Sequence, residues 1–557
     1  MLHSNKVLAQ QVVSACLFKD VEKVVISPGS RNAPLIIEFN AYDSIEKYSI
    51  VDERSAAFFA LGMAKQTQKP VALICSSGSA LLNYYPAITE AFYSKIPLLV
   101  ISADRPKYLI DIGDGQTIRQ ENVYKNHIQY SANLSEKNPD SNYAILNEAF
   151  ETLQAKKGPI HINVPFDEPL YEVTESVLVD ENSWTQETNS SSLLSETPLD
   201  VDELQKYADL WNSSSKKMVL LGVFPPDEMI QTQLAHLAKD TSIIVLTENT
   251  SNVVHPKFIN RIDQVIFPLS ESEFETYQPD ILLTFGGMVV SKKIKSLLRR
   301  FQPKQHWHVD AQTKMDTYHC LTHHFKVSAT LFFSQFFFLS KINESTYQQL
   351  WLDLKSVREK SHDKLLLAMP FSDFKVFEFI TNSIPNNINI QFSNSSTIRY
   401  AQLFSWQANQ HIGCNRGTSG IDGSTSTAVG VAVASQEQTV FITGDLSFFY
   451  DSNALWNSYI PPNFRIILIN NQGGGIFRFI PGPTTTNTLD YFETPHNLSA
   501  KQICEMHHFE YETAKDEKGL ENKLAGFFNK SSLPKLLEVF TPREVNDIVL
   551  KEYFRGL

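Results

Sequence analysis

The stretch Gly444–Phe477, GDLSFFYDSNALWNSYIPPNFRIILINNQGGGIF, decides the fold of the chain. It follows the apolar run Thr439–Thr443, which predicts a buried strand, and it contains a second such run, Arg465–Ile469. Between the two runs, the length and apolar spacing of Phe448–Tyr459 predict a helix. Strand, helix and strand in this order predict a βαβ crossover within a parallel sheet.

Polar residues stand where these two strands end. Asp445 directly follows the first strand, and Asn471 follows the second. Ligands of open parallel sheets bind at this edge. A carboxylate, an amide oxygen and a backbone carbonyl of the turn Gly473–Gly475 are hard ligands that suit Mg²⁺, with phosphate oxygens and water completing its octahedron. The glycines allow close approach of a diphosphate. The alternative is a plain βαβ unit whose Gly-Asp and Asn-Asn are turn residues only.

Length and composition describe an ordinary globular protein. The 557 residues predict about three domains, at roughly 100–200 residues per domain. A net charge of −12 disfavours nucleic acid or an anionic membrane as partner. The five cysteines are scattered and never form a C-x-x-C pair, which predicts reduced thiols and no zinc site. No signal peptide or membrane-spanning run is recognised, so we expect a cytoplasmic protein without membrane insertion.

Short apolar runs alternate with helical patterns in three successive parts of the chain. This alternation predicts an α/β fold of three doubly wound parallel-sheet domains, residues 1–180, 201–350 and 351–557. Residues 181–200, rich in Ser, Thr, Glu and Asn, predict a linker. The predicted strands are Val24–Ile26, Tyr48–Val51, Val71–Cys75, Leu98–Ser102, Ile160–Val164, Met218–Gly222, Ile243–Leu246, Val265–Phe267, Ile281–Phe285, His306–Val309, Ile388–Phe392, His411–Cys414, Val440–Thr443, Ile466–Asn470 and Leu536–Phe540.

Acidic and basic residues mark the same edge of the other predicted strands. Glu53 lies between a strand and a helix, where an acid also favours the helix dipole and needs no further role. A single arginine at such a place would be a surface ion pair worth little. Several together predict a cleft for substrates that carry more than one carboxylate. The four arginines that follow predicted strands are Arg31, Arg105, Arg399 and Arg416.

The Gly-Asp and Asn-Asn-glycine pattern resembles the diphosphate–Mg²⁺ motif of thiamine diphosphate (ThDP) enzymes, although Leu446 stands where most of them have a second glycine. By this resemblance Asp445, Asn471 and the Gly473 carbonyl are the metal ligands, with Mn²⁺ as an alternative to Mg²⁺. Glu53 then exchanges a proton with the cofactor's aminopyrimidine ring. The implied cofactor-binding residues are Glu53, Ile421, Gly444, Asp445, Leu446, Ser447, Asn471, Gly473, Gly474, Ile476 and Phe477.

Seven motifs, in order along nearly the whole chain, narrow the resemblance to one ThDP family. They are SPGSRNAPL, DERSAAFFALGMAK, SADRP, GQTIRQ, NRGTSGIDG, GDLSFFYDSNAL and NNQGGGIF. Together they are similar to the 2-succinyl-5-enolpyruvyl-6-hydroxy-3-cyclohexene-1-carboxylate (SEPHCHC) synthases of menaquinone biosynthesis. Members of that family decarboxylate 2-oxoglutarate and add the resulting succinic semialdehyde carbanion to isochorismate in a conjugate addition, releasing CO₂. The resemblance also implies the three domains of that enzyme type: pyrimidine-binding, central and diphosphate-binding.

Substrate contacts and assembly are carried over from the same resemblance. Both substrates are carboxylic acids, which gives the arginines a purpose. The protein is expected to be a homodimer or homotetramer with active sites at the subunit interface. The implied substrate-binding residues are Ser30, Arg31, Arg105, Gln116, Lys292, Ser395, Arg399 and Arg416. The implied catalytic residues are Glu53, Arg31, Gln116, Arg399 and Arg416.

Two other readings of the motifs stay open from the residues alone. A different ThDP carboligase or decarboxylase would act on small monoanionic 2-oxoacids, for which four arginines in the cleft are more than needed. A catalytically inactive protein with a ThDP-enzyme fold would serve as a regulator or scaffold. The intact Glu53, Asp445 and Asn471 argue against that second reading.

Overall fold

The computed structural model describes residues 2–179, 184, 197–480 and 482–557. It divides into two compact units. The first comprises Met1–Leu194, Asn415–Thr439 and Ser447–Phe464, and the second comprises Ser195–Cys414, Val440–Leu446 and Arg465–Leu557. Three parallel sheets flanked by helices confirm the predicted α/β class. The predicted bounds of the three domains stay a prediction, and most of the predicted linker, residues 181–200, lies outside the described residues.

The first sheet lies within the first unit. Its central strands are apolar and buried along their whole length, as expected for a parallel sheet covered on both faces. The strands in this part of the chain are β1 His3–Ser4, β2 Lys23–Ile26, β3 Glu46–Ser49, β4 Val71–Cys75, β5 Leu98–Asp104, β6 Ser131–Asn133, β7 Ile160–Pro165 and β8 Val173–Thr174. The helices are α1 Val7–Phe18, α2 Ala33–Asn40, α3 Glu53–Thr67, α4 Ser79–Asn83, α5 Tyr85–Ser94 and α6 Pro139–Lys156. The parallel sheet has the order β3-β2-β4-β5-β7-β6, and β1 pairs with β8 separately.

The second sheet lies in the second unit and has the order β10-β9-β11-β12-β13, all parallel. Its strands are β9 Lys217–Leu221, β10 Ile243–Leu246, β11 Ile281–Phe285, β12 Gln305–Val309 and β13 His323–Phe325. The helices of this part of the chain are α7 Val201–Ser213, α8 Glu228–Leu237, α9 Ile262–Ile266, α10 Glu271–Tyr277, α11 Lys292–Arg300, α12 Ala329–Phe336 and α13 Tyr347–Ala368. The strand predicted at Val265–Phe267 is wrong, because these residues belong to the end of α9 and its cap. The run buries Ile262, Val265 and Ile266 at helical spacing, and three apolar residues in a row could not reveal that.

The third sheet has the order β15-β14-β16-β17-β19-β18. Its strands are β14 Ile388–Phe392, β15 Gln410–Cys414, β16 Thr439–Gly444, β17 Phe464–Asn470, β18 Glu510–Ala514 and β19 Lys535–Phe540. The helices of this part of the chain are α14 Asp373–Ser383, α15 Ser396–Ala401, α16 Ser424–Ala434, α17 Asp445–Tyr450, α18 Leu489–Glu493, α19 Lys501–Met506, α20 Glu517–Phe527 and α21 Asn546–Gly556. No helix of the described residues is both long and apolar enough to span a bilayer.

The crossover helix predicted at Phe448–Tyr459 has different bounds. Helix α17 already begins at Asp445 and ends at Tyr450, and a short 3₁₀ turn at Ser452–Leu455 follows it. The break falls at Asp451, whose buried carboxylate accepts hydrogen bonds from the backbone N–H and the hydroxyl of Ser426. This contact comes from a distant part of the sequence, so apolar spacing alone could not predict the break.

The first and third sheets repeat one strand order. When the six parallel strands of each sheet are numbered along the chain, both sheets read 2-1-3-4-6-5. The order reverses between the first and third strands, β2 and β4 in one sheet and β14 and β16 in the other. A crevice for ligands forms at such a reversal, beyond the carboxyl ends of the strands. Arg31 and Asp445 follow strands at this reversal, β2 and β16. Glu53, Arg105, Arg416 and Asn471 follow the next strands outward, β3, β5, β15 and β17.

Candidate cofactor and substrate sites

Asp445 is fixed at the start of α17, directly after β16. Its side chain is buried, with 3% of the residue exposed. One carboxylate oxygen accepts a hydrogen bond from the N–H of Leu446 at 2.7 Å, and the other accepts one from the N–H of Gly473 at 3.0 Å. The carboxylate therefore joins the start of α17 to the glycine turn that follows β17. The structure brings Asp445 and Gly473 together as the spacing of the motif predicts.

Asn471 presents a buried oxygen without a partner. Its Nδ2 donates to Asp373 Oδ2 at 2.8 Å. Its Oδ1 is buried and has no hydrogen-bond partner within the described residues. Leaving a buried amide oxygen unpaired costs about 1–3 kcal/mol, so such atoms are rare and call for an explanation. A metal ion bound at this oxygen supplies one.

Gly473 occupies a position that a side chain could not. Its φ is +153°, and a Cβ there would lie 2.8 Å from the carbonyl oxygen of Glu493. The Gly473 carbonyl accepts a hydrogen bond from the N–H of Gly475 at 3.0 Å and keeps a second lone pair. A carboxylate, an unpaired amide oxygen and this carbonyl form the hard oxygen donor set of a Mg²⁺ or Mn²⁺ site. The residues present therefore fit a divalent ion that carries a diphosphate.

His496 and Asp373 flank the same donor set, and the sequence analysis missed both. His496 Nε2 lies 3.4 Å from Asp445 Oδ2. The N–H of Leu498 donates to His496 Nδ1, so Nε2 carries the ring hydrogen that faces Asp445. Burial raises the pKa of Asp373 to about 6, and hydrogen bonds from Thr541 and Asn471 offset part of that effect. A histidine in a loop and an acid at a helix start carry no sequence signal of such a role.

The apolar residues predicted beside the cofactor follow the glycine turn. Ile476 and Phe477 form part of a 3₁₀ turn, and the Phe477 ring packs against Phe492 at a centroid distance of 5.3 Å. Gly474 donates its N–H to the Glu493 carbonyl at 2.7 Å, which ties this turn to the end of α18.

Other predicted residues of the second unit lie on separate elements. Ser395 precedes α15 with a φ of +72°, a backbone conformation that non-glycine residues rarely adopt and that often marks functional sites. Arg399 lies in the last turn of α15, and its charge partly offsets the rise that burial causes in the pKa of Asp263. Lys292 is exposed at the start of α11, whereas the ammonium of Lys293 lies 5.5 Å from the centre of the Phe267 ring.

Glu53 is the first residue of α3 in the first unit. Asp52 caps this helix by accepting a hydrogen bond from the N–H of Ser55 at 3.1 Å. Glu53 is half-buried, and its Oε2 accepts a weak hydrogen bond from Asn83 at 3.4 Å. The glutamate is therefore held by a rigid helix start while keeping room for a further partner.

Helix α3 packs closely against α16, the helix that follows Ile421. A Cβ at Gly62 of α3 would overlap the carbonyl oxygen of Thr427, so glycine permits the close crossing of the two helices. The backbone carbonyl of Ile421 accepts a hydrogen bond from the Ser447 hydroxyl at 3.4 Å. Within the first unit, the helix that carries Glu53 therefore contacts the helix that begins beside Ile421.

Two predicted arginines of the first sheet are tied down by local contacts. Arg31, which follows Ser30 after β2, donates to the Phe166 carbonyl at 2.9 Å and pairs with Glu168 at 2.9 Å. Arg105, after β5, donates to the Gly115 carbonyl at 2.7 Å. This contact brings Arg105 to the loop that contains Gln116.

The loop that contains Gln116 is held at one end by a buried glutamine, Gln120, which was not among the predicted site residues. Gln116 is exposed and has a φ of +55°. Gln120 is fully buried, donates to Asn163 Oδ1 at 2.8 Å and accepts from the N–H of Gly78 at 3.0 Å. Gln120 therefore fixes one end of the loop that presents Gln116.

Arg416 follows β15, and a carboxylate of α5 holds the two residues that come after it. The N–H groups of Gly417 and Thr418 donate to the two oxygens of Glu90 at 2.7 and 2.6 Å. Glu90 belongs to α5 and is 1% exposed. A buried carboxylate that accepts several hydrogen bonds is a strong anchor, so it fixes the backbone next to Arg416.

Comparison with known proteins finds matches along nearly the whole chain. Three family models match in order: the thiamine pyrophosphate enzyme N-terminal TPP binding domain over residues 7–130, the middle domain of thiamine pyrophosphate enzymes over 176–390, and the C-terminal TPP binding domain over 395–539. A SEPHCHC synthase of Flavobacterium psychrophilum is 52% identical, with 100% of both chains covered. The SEPHCHC synthase of Christiangramia forsetii is also 52% identical, covering 100% of this chain and 99% of its own.

A more distant relative gives the same result. The SEPHCHC synthase of Porphyromonas gingivalis is 38% identical over 96% of this chain and 94% of its own length. Domain models and full-length relatives agree with one another. The chain therefore belongs to the family of 2-succinyl-5-enolpyruvyl-6-hydroxy-3-cyclohexene-1-carboxylate synthases, thiamine diphosphate-dependent enzymes of the transferase class.

Proposed function

We propose that the protein decarboxylates 2-oxoglutarate and adds the resulting four-carbon unit to isochorismate by conjugate addition. The products are SEPHCHC and CO₂, in menaquinone biosynthesis. The observation that carries the proposal is the unpaired, buried Oδ1 of Asn471, two residues before Gly473, whose N–H binds the carboxylate of Asp445. A buried amide oxygen without a partner calls for an explanation, and a bound cation supplies one.

In this proposal, Asp445, Asn471 and the Gly473 carbonyl hold Mg²⁺, or Mn²⁺ in its place. ThDP, once bound through this ion, supplies the electron sink that allows a 2-oxoacid to lose CO₂. The turn Gly473–Gly475 brings backbone close to the diphosphate because side chains are absent there. Gly444, Leu446 and Ser447 line the start of α17 next to the same group.

Glu53 has the role of holding and exchanging a proton with the aminopyrimidine ring of the cofactor. A carboxyl oxygen within hydrogen-bond reach of a ring nitrogen is the geometry that this exchange needs. The helix start at Asp52 and Ser55 supports it by fixing the backbone of Glu53. Ile421, Ile476 and Phe477 exclude water, which strengthens the electrostatic interactions of the site.

In this proposal, the substrates are bound by cationic side chains and by neutral hydrogen-bond donors. Both substrates carry carboxylates, and guanidinium groups bind carboxylates in a bidentate manner. Because the net charge of the chain is −12, local arginines must overcome an unfavourable overall field. The proposed substrate contacts are Ser30, Arg31, Arg105, Gln116, Lys292, Ser395, Arg399 and Arg416.

The proposal extends to domains and assembly. Residues 1–180 form the pyrimidine-binding domain, 201–350 the central domain and 351–557 the diphosphate-binding domain, with a linker at 181–200. The protein works in the cytoplasm as a homodimer or homotetramer, with its active sites at the subunit interface. Sedimentation of the purified protein with and without cofactor distinguishes these assemblies from a monomer.

The experiment that tests the reaction is an assay with purified protein, ThDP, Mg²⁺, 2-oxoglutarate and isochorismate. We expect isochorismate to disappear in step with CO₂ release, and EDTA to stop both. Pyruvate in place of 2-oxoglutarate is the matched control and should give no turnover. Turnover with pyruvate and none with the proposed pair would instead identify a different ThDP carboligase or decarboxylase.

A further inference from the structure

Asp373, the first residue of α14, lies behind the proposed metal site and has no role in the function proposed above. We infer that Asp373 is a positioning residue that turns the Asn471 amide so that its oxygen faces the metal. The inference rests on the proposed metal role of Asn471 and deepens it. The hydrogen bond that sets the orientation of the Asn471 amide is made by residues of this chain and does not require a bound ion.

Both carboxylate oxygens of Asp373 accept hydrogen bonds. Oδ2 accepts from Asn471 Nδ2 at 2.8 Å, and Oδ1 accepts from the Thr541 hydroxyl at 2.6 Å. The backbone N–H of Asp373 donates to Asn546 Oδ1 at 2.8 Å. Three contacts to three other segments therefore fix Asp373 in place, and 3% of the residue is exposed.

An ionised carboxylate only accepts hydrogen bonds, whereas an amide has a donor end and an acceptor end. Asp373 can therefore bind only the NH₂ end of Asn471. A flipped amide would place two oxygens against each other and would turn the NH₂ group toward the cation. The unpaired Oδ1 of Asn471 is the consequence of this arrangement, because Asp373, the one side chain of the described residues that hydrogen-bonds this amide, accepts from its nitrogen.

Thr541 links this cluster to the strand that precedes Asn471. Its N–H donates to the Asn470 carbonyl at 3.1 Å, while its hydroxyl donates to Asp373. Asp373 thus holds the Asn471 side chain, and Thr541 holds both Asp373 and the end of β17. Removal of a residue that directly orients a metal ligand, as Asp373 orients Asn471 here, typically changes metal affinity about 10- to 100-fold.

The first test compares Asp373→Ala with Thr541→Val, a matched control that removes the other hydrogen bond of the same carboxylate. Mn²⁺ binding is measured from the signal of free Mn²⁺ in electron paramagnetic resonance, with ThDP present. We expect Asp373→Ala to weaken Mn²⁺ binding about 10- to 100-fold and Thr541→Val, which removes no contact to Asn471 itself, to weaken it clearly less. Thermal unfolding of the metal-free proteins reports the structural cost of each variant separately.

A swap of the two side chains keeps the test valid if Asp373→Ala does not fold. Asn471→Asp alone places two carboxylates against each other, and we expect weak Mn²⁺ binding. Adding Asp373→Asn restores the hydrogen bond with its direction reversed, while the new amide oxygen still accepts from Thr541. The double variant should bind Mn²⁺ about 10-fold or more tightly than Asn471→Asp.

The outcomes separate this inference from the proposed function. Equal Mn²⁺ affinity for Asp373→Ala and the unmodified protein, equal losses for Asp373→Ala and Thr541→Val, or no recovery in the swap would overturn the positioning role. If the unmodified protein binds no Mn²⁺ with ThDP present, the proposed metal site itself fails. Turnover is not needed for either result.

Discussion

The first and third sheets share one strand order and differ in the chemistry placed at their edges. In the first sheet, Glu53 follows the second strand and Arg105 the fourth. At the same two places in the third sheet stand Arg416 and Asn471. The repeated architecture supplies equivalent positions, and the residue in each position determines what is bound there.

The two edges also differ in how complete they are. In the third sheet, a hydrogen bond already joins Asp445 to Gly473, and all three proposed ligands, Asp445, Asn471 and Gly473, are buried. In the first sheet, Glu53 is half-buried and Gln116 is exposed, and the nearby contacts hold loops in place. Under the proposed function, the third sheet would hold the cofactor by its metal, and the first sheet would contribute an acid and cations. The following predictions test this division of labour.

The largest effect is expected from Asp445→Ala. Removing the only carboxylate of the donor set should abolish measurable turnover and weaken Mg²⁺-dependent ThDP binding more than about 100-fold, beyond the loss typical of outer-shell changes. Titration calorimetry with ThDP and Mg²⁺ measures it. Asp202→Ala, at an exposed acid of α7, is the control and should bind normally. Retained ThDP binding in Asp445→Ala would contradict the role of the third sheet.

Glu53→Gln should separate the two sheets. Cofactor binding should persist because Glu53 is not a metal ligand, while turnover should fall about 10²- to 10⁴-fold, since Gln cannot exchange a proton. Calorimetry and the isochorismate assay measure the two quantities on one preparation. Glu121→Gln changes an exposed acid of the same unit and should alter neither cofactor binding nor turnover. Full activity in Glu53→Gln would remove the proton-exchange role.

Arg399→Gln and Arg416→Gln should weaken substrate binding without changing the affinity for ThDP. A hydrogen bond to a charged group contributes about 1.5–3 kcal/mol, so we expect KM for at least one carboxylate substrate to rise about 10- to 100-fold. Initial rates with each substrate varied in turn measure this change. Arg555→Gln, at an exposed position of α21, provides the control. An unchanged KM for both substrates in both variants would contradict the cationic cleft.

The smallest effect concerns the pH dependence of stability. The first sheet contains a buried histidine, whereas the histidine compared with it in the third sheet is exposed. His161 of β7 is fully buried, and burial lowers its pKa from 6.5 to about 3, whereas His411 of β15 is exposed. Between about pH 3 and 6.5, His161 is therefore protonated in the unfolded chain and neutral in the folded chain. Stability is fully present above pH 6.5 and falls toward pH 3, by up to about 1.4 kcal/mol per pH unit from this group.

Urea unfolding at pH 7.5 and 5.5 tests this linkage by comparing the protein with His161→Gln. We expect the variant to lose less stability between the two pH values than the unmodified protein. Identical pH dependence in the protein and in His161→Gln would show that His161 makes no such contribution.

Much of the fold could be predicted because buried parallel strands are continuous apolar runs, as in β4 and β10. Prediction failed where that signal is weak. Strand β13 is the polar segment His323–Phe325, and β18, Glu510–Ala514, is only half-buried at the sheet edge. The reverse error at Val265–Phe267 arose because a short apolar run fits a buried helix equally well.

The candidate site divides in a similar way. Asp445, Asn471 and Gly473 could be predicted as a group because each follows a strand end of one crossover. Asp373 and His496 could not, because they reach the same place from other segments through tertiary contacts. Sequence position reveals residues that a single βαβ unit places together, and it does not reveal the residues that orient them.

A crystal structure of the assembled protein with Mg²⁺ and ThDP tests the central claim most directly. We expect one ion at about 2.0–2.1 Å from an Asp445 carboxylate oxygen, Asn471 Oδ1 and the Gly473 carbonyl oxygen. We also expect a Glu53 carboxylate of the assembly at about 2.6–3.2 Å from the aminopyrimidine ring of that cofactor. An ion bound by other residues, or Glu53 remote from every cofactor in the assembly, would contradict the account.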